Sequence, residues 1–112
     1  LLQSDYCFLN SMKQADDPVI AAAIHGLKAL CEEHRIEESH GLGHALRVLD
    51  HVDKALSLAD SLGEDRRQAV RLAALLHDAD DRKLFQKREG NKGAKNAEQI
   101  MERAGASALV IG

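Results

Sequence analysis

From Leu42 to Ala59 the aliphatic residues Leu42, Ala45, Leu46, Leu49, Val52, Leu56 and Ala59 return every three or four positions. That interval is the period of an α-helix and places them on one face. No stretch of useful length alternates with the period of two that marks a half-buried strand. Aromatic residues make up only 3% of the chain and the sole proline is Pro18, so the core must be built from Leu, Ala, Val and Ile. Leu and Ala are strong helix formers. The expected fold is all-α, a helical bundle of about five helices.

The boundaries follow from capping chemistry. Asp16-Asp17-Pro18 combines preferred N-cap residues with a proline suited to a first helical turn. A helix is expected from Pro18 to about His34, with Val19, Ala23, Leu27 and Leu30 along one side. A second helix should begin near Ser39–Leu42 and run to about Leu62, stopped by Gly63. Glu64-Asp65 puts negative charge at the start of a third helix, where the helix dipole favours it. Its buried side is expected to hold Val70, Ala73, Ala74 and Leu76, with Leu72 and Leu75 adding to it. The nearly unbroken apolar run Leu72–Leu76 predicts that this helix is central. Residues 79–92 read as a polar, basic loop. Gly93 to about Ala104 reads as a fourth helix ended by Gly105, and 106–111 as the start of a fifth. Residues 1–15 give a mixed signal that fits at most a short helix.

The 112 residues fit one domain, 1–112. The chain lacks an initial Met and stops in the apolar run Ala108-Leu109-Val110-Ile111-Gly112, so the domain is expected to be incomplete at its C-terminus. A net charge of −3 disfavours stable nucleic-acid binding. The charge is uneven, because residues 82–95 hold six basic side chains and one acid. No apolar run reaches the length of a membrane span, and residues 1–15 are not expected to act as a signal peptide because polar residues interrupt them quickly. Cys7 and Cys31 show neither a thiolate zinc spacing nor a disulfide framework, and a reducing, cytoplasmic setting is the default.

Six histidines occur, and their positions carry more than their number. His77-Asp78 ends the most apolar helix, where a carboxylate following buried leucines needs a partner. A divalent metal supplies one, and imidazole beside carboxylate suits Zn, Mn, Fe, Co or Ni. His44 leads into the apolar stripe of the second helix and should point inward. His40, four residues earlier and next to glycine, belongs at the mouth, a placement that suits a ligand beside an acid. His51 shares the helix face of His44 and reads as core-edge. His25 and His34 read as surface or packing residues, Asp80 as solvated or capping, and Glu98 and Glu102 as an exposed face. The loop bearing Lys83, Lys87, Arg88 and Lys92 follows directly and could receive phosphate oxygens.

The segments HGLGHALRV (residues 40–48) and LAALLHDADD (residues 72–81) resemble the two leading motifs of the HD superfamily of metal-dependent phosphohydrolases. The resemblance is nearest to small members with an HDxxD form, and it covers roughly residues 35–100. It implies an HD-domain-like bundle in which His44, His77 and Asp78 bind one divalent metal ion (Mn, Zn, Ni, Fe, Co or Mg). Asp81 would orient the attacking water. His40 would meet phosphate or protonate the leaving group. Arg47 matches an arginine common after the first histidine, read as a structural residue that pairs with an acid.

The implied activity is hydrolysis of a phosphoester or phosphoanhydride in a small phosphorylated substrate, a nucleotide above all, with Lys83, Lys87, Arg88 and Lys92 as substrate-binding groups. Homo-oligomerisation is left open. One departure stands out. The family's further Asp ligand has no counterpart here, since the acids after Asp81 are Glu89, Glu98 and Glu102, and it is expected beyond residue 112 or in a segment absent from this sequence. The alternative is therefore a catalytically degenerate HD domain that binds a nucleotide or a protein partner, and a third reading is a plain helical interaction domain.

Overall fold

The structure, a computed structural model, describes residues 17–37, 40–59, 61–81 and 95–111. The short helix considered for residues 1–15 lies outside these, as do Cys7, Lys83, Lys87, Arg88, Glu89 and Lys92. The described residues are all-α. They form α1 (Pro18–Glu33), α2 (Leu42–Leu56), α3 (Glu64–Leu76), α4 (Asn96–Ala104) and a single short turn of helix, α5 (Ala108–Ile111). No helix among them is long and apolar enough to cross a membrane.

α1 starts where the capping chemistry predicts. The Asp17 carboxylate accepts a hydrogen bond from the Val19 amide at 2.8 Å, with Pro18 at the first helical position. The other Asp17 oxygen accepts from Gln68 at 2.8 Å and so joins α1 to α3. The helix ends with Arg35 at φ 53°, its amide bonded to the Glu32 carbonyl and the Ile36 amide to that of Cys31. This paired closure normally uses glycine. Along α1 the fully buried residues are Ile20, Ala23 and Ile24, with Leu27 and Cys31 beside them, while Val19 and Leu30 flank the core. The buried face is thus rotated slightly from the predicted stripe.

α2 and α3 run antiparallel, with the start of α2 facing the end of α3. Arg71 on α3 reaches Asp53 on α2 through Nε at 2.8 Å and Nη2 at 3.3 Å, and Arg67 reaches the far end of α2. α2 ends at Leu56, well short of the expected Leu62. The Ser57 hydroxyl donates to the Lys54 carbonyl at 2.6 Å, a local bond that competes with helix continuation. Arg67 then takes the carbonyls of Leu56, Ala59 and Leu62, which leaves that stretch as an irregular connector.

α3 is the central helix, as its apolar run predicts, but its buried face differs from the expected one. Leu72, Leu75, Leu76 and Ala79 lie inward with Ala74, whereas Val70 is 41% exposed and Ala73 faces out. When five consecutive residues are apolar, the run cannot say which side is buried; packing against α1 and α2 decides. α4 lies on α1, where Ile100 packs so closely over Gly26 that a Cβ there would stand 3.2 Å from it. Gly105, at φ 87°, ends α4 as predicted.

Candidate metal centre

His44 sits in the first turn of α2, and the chain entering that turn is tightly folded. The His40 amide donates to the Glu37 carbonyl at 3.0 Å. Gly41 is buried, and a Cβ there would stand 2.9 Å from the same carbonyl oxygen, so the close approach requires glycine. The Leu42 backbone lies beside the Cys31 thiol. Burial pushes the Cys31 thiol up from its ordinary 9.0 to about 11, Leu42 opposing and the neighbouring Glu32 adding to the shift. Without an ion Cys31 is a neutral thiol, and it lies outside the cluster of His44, His77 and Asp78.

His77 and Asp78 follow the last residue of α3. Three donor atoms from the two helix ends converge. His44 Nε2 lies 3.3 Å from His77 Nε2 and 3.6 Å from Asp78 Oδ2, and His77 Nε2 lies 3.1 Å from that same oxygen. Each of the three side chains is about one-third exposed (35%, 36% and 34%), so the cluster opens to solvent on one side.

The hydrogen bonding sets the chemistry. His77 Nδ1 lies 2.7 Å from the Ala74 carbonyl oxygen. A carbonyl carries no proton, so Nδ1 bears a hydrogen, and in the neutral ring Nε2 presents a lone pair. That lone pair faces a carboxylate oxygen and a second imidazole nitrogen. A hydrogen on His44 Nε2 or a metal ion among the three atoms satisfies them. Metal-ligand bonds of about 2.0–2.2 Å in a tetrahedral site place ligand atoms about 3.4 Å apart. The observed triangle fits that spacing, and the second-nitrogen bond to a backbone carbonyl is the usual way a ligating histidine is oriented. The donor set of two imidazoles and one carboxylate suits Zn, Mn, Fe, Co or Ni.

The other predicted residues fall around this cluster in different ways. His40 is exposed and lines, with His44, Asp78 and Gly41, a small depression whose floor is Leu27, Cys31, Ala45, Leu75 and Ala79. Asp81 lies outside the three-residue cluster, its amide donating to the Asp78 carbonyl at 3.1 Å. The four predicted substrate-binding side chains, Lys83, Lys87, Arg88 and Lys92, are outside the described residues. His51 is exposed rather than at the core edge, because a seven-residue step drifts about 20° around a straight helix. Arg47 is exposed, and the arginine that pairs with an acid between the helices is Arg71. Glu98 and Glu102 face solvent as expected. Asp80 is a cap, accepting from the Ala97 amide at 3.2 Å.

Two supporting groups escaped the sequence reading. The Ala74 carbonyl carries no sequence signal. Asn96, which donates to the Ala79 carbonyl at 2.8 Å, had one available, since Asn is common at helix starts. No family model, curated protein or solved structure matches the chain.

Proposed function

We propose that the chain is a metal-dependent phosphohydrolase domain of HD type, a helical bundle whose His44, His77 and Asp78 hold one divalent ion. The observation that carries this reading is the convergence of His44 Nε2, His77 Nε2 and Asp78 Oδ2 within 3.6 Å of one another. The order of these residues along the chain matches the HD motifs. A divalent ion held there supplies Lewis acidity toward a phosphoryl oxygen and toward water.

The chain's own residues do the rest. His77, locked by Ala74, and His44 keep their Nε2 atoms aimed at a common point. Asp78 supplies negative charge beside them. His40, on the rim of the adjoining depression, is placed to meet a phosphoryl oxygen or to give a proton to the leaving oxygen. Asp81, one turn beyond Asp78, is the acid assigned to orienting water. Lys83, Lys87, Arg88 and Lys92 are assigned to the phosphate oxygens of a small substrate, a nucleotide above all.

The test is hydrolysis of a nucleotide panel by the protein with Mn²⁺ or Co²⁺. The expected result is metal-dependent release of phosphate or nucleoside product, lost in His77→Ala and Asp78→Ala. Metal uptake without turnover of any phosphoester or phosphoanhydride would overturn the hydrolase reading. A second reading, a degenerate HD domain that binds a nucleotide or a protein partner, is favoured by one observation. The cluster offers three protein ligands, and the acids of α4, Glu98 and Glu102, face solvent.

A further inference from the structure

Two hydrogen bonds clip the first turn of α4 to the turn that carries Asp78. The Asn96 amide Nδ2 donates to the Ala79 carbonyl at 2.8 Å, and the Ala97 amide donates to Asp80 Oδ1 at 3.2 Å. Both donors belong to α4 and both acceptors to the turn, one bond running from side chain to backbone and the other from backbone to side chain. α4 has no side-chain cap of its own, with Lys95 at its N-cap position, and Asp80 takes that place from 17 residues away. Ala79 is 1% exposed, so its carbonyl oxygen depends on Asn96 rather than on bulk water.

The three candidate ligands are held by different means. His44 is set by the first turn of α2. His77 is oriented by its own helix through the Ala74 carbonyl. Asp78 lies beyond the last residue of α3, and its carboxylate contacts the two imidazoles themselves. The direction of that carboxylate therefore depends on the course of the backbone just after it. Ala79 and Asp80, the next two residues, are the ones that α4 grips. α4 is in turn seated on α1 by Ile100 over Gly26.

We propose that Asn96 and Asp80 are positioning residues of the metal centre, holding the Asp78 carboxylate against His44 and His77 by fixing the Ala79–Asp80 backbone to α4. The proposal rests on the reading of His44, His77 and Asp78 as ligands. Neither residue touches the ion; each acts through the backbone that follows Asp78.

The test is Co²⁺ binding to the full chain, read by its visible absorption band and by competition, alongside thermal unfolding of the ion-free protein. Outer groups that orient ligands typically change affinity by 10–100-fold, so Asn96→Ala and Asp80→Ala are each expected to weaken Co²⁺ binding about 10-fold and to alter the band. Asp80→Asn loses the charge but keeps the acceptor oxygen, and it is expected to restore most of the affinity lost in Asp80→Ala. Unchanged affinity in Asn96→Ala, with binding abolished by His77→Ala, would show a purely structural clip and overturn the proposal. If Asn96→Ala does not fold, the Asp80 pair decides, and equal affinities for Asp80→Asn and Asp80→Ala overturn it. A wild-type chain that takes up no Co²⁺ overturns the ligand reading itself, and the positioning role with it.

Discussion

The imidazole rings of His44 and His77 meet edge to face, with centroids 5.2 Å apart and planes at 62°, although one opens α2 and the other follows α3. Their Nε2 atoms lie 3.3 Å apart, so ring nitrogens are brought together. Packing alone would favour burying ring carbon. Both Nε2 atoms lie within 3.6 Å of Asp78 Oδ2, an arrangement that could hold a metal ion.

Ion binding should therefore stabilise the fold. At a free ion concentration about 100 times Kd, linkage adds about 2.7 kcal/mol to unfolding. A thermal melt with Zn²⁺ or Mn²⁺ is expected to show a higher Tm than one with a chelator, and His44→Ala should erase the difference. Superimposable melts with and without the ion would argue against a metal site.

Arg67 closes the connector between α2 and α3. Its Nη1 donates to the Leu56 carbonyl at 3.0 Å and its Nε to that of Leu62 at 3.1 Å, while its Nη2 donates to that of Ala59. Bonds involving a charged group are worth about 1.5–3 kcal/mol each in favourable settings, and water replaces part of that at a half-buried site. Arg67→Ala is expected to cost about 2 kcal/mol or more in urea unfolding. Arg67→Lys should recover little of it, because a single ammonium cannot span three carbonyls. A variant as stable as the wild type would remove the clamp from the account.

Arg35 sits at φ 53°, where a Cβ is unfavourable, in a helix closure that normally carries glycine. Its side chain is exposed, so little packing is lost on truncation. Arg35→Gly is expected to raise stability by about 0.5–1 kcal/mol, and Arg35→Val to lower it. Equilibrium denaturation of the pair checks both signs; a destabilised glycine variant would contradict the strain argument.

The Cys31 thiol is raised to about 11 by burial. A raised acid binds its proton more tightly in the folded state, so the fold loses stability as the unfolded thiol ionises first. Stability should be unaffected by this group below about pH 9, decline between about 9 and 11, and level off above that. Cys31→Ala should remove this step from the stability–pH curve. In the native protein at neutral pH, labelling of Cys31 by a thiol reagent is expected to be slow and to accelerate on unfolding. Fast labelling under native conditions would contradict the burial.

Much of the helical plan was legible from residue order. Pro18 behind Asp17 marks the start of α1, Gly105 marks the end of α4, and Glu64 opens α3, because capping is decided by neighbours along the chain. The early end of α2 was not legible. Its apolar spacing continues to Ala59, and what stops it includes a guanidinium eleven residues beyond Leu56. Nor was the inward face of α3, where Val70 and Ala73 are as apolar as their buried neighbours.

The same division holds at the site. Local spacing determines that His44 opens a helix and that His77 and Asp78 end one, since those are properties of periodicity and caps. Whether the two ends meet depends on contacts between residues 33 positions apart and on the antiparallel docking of α2 and α3. Such contacts leave no periodic trace in the chain; they exist only once the helices have packed and their buried faces have chosen each other.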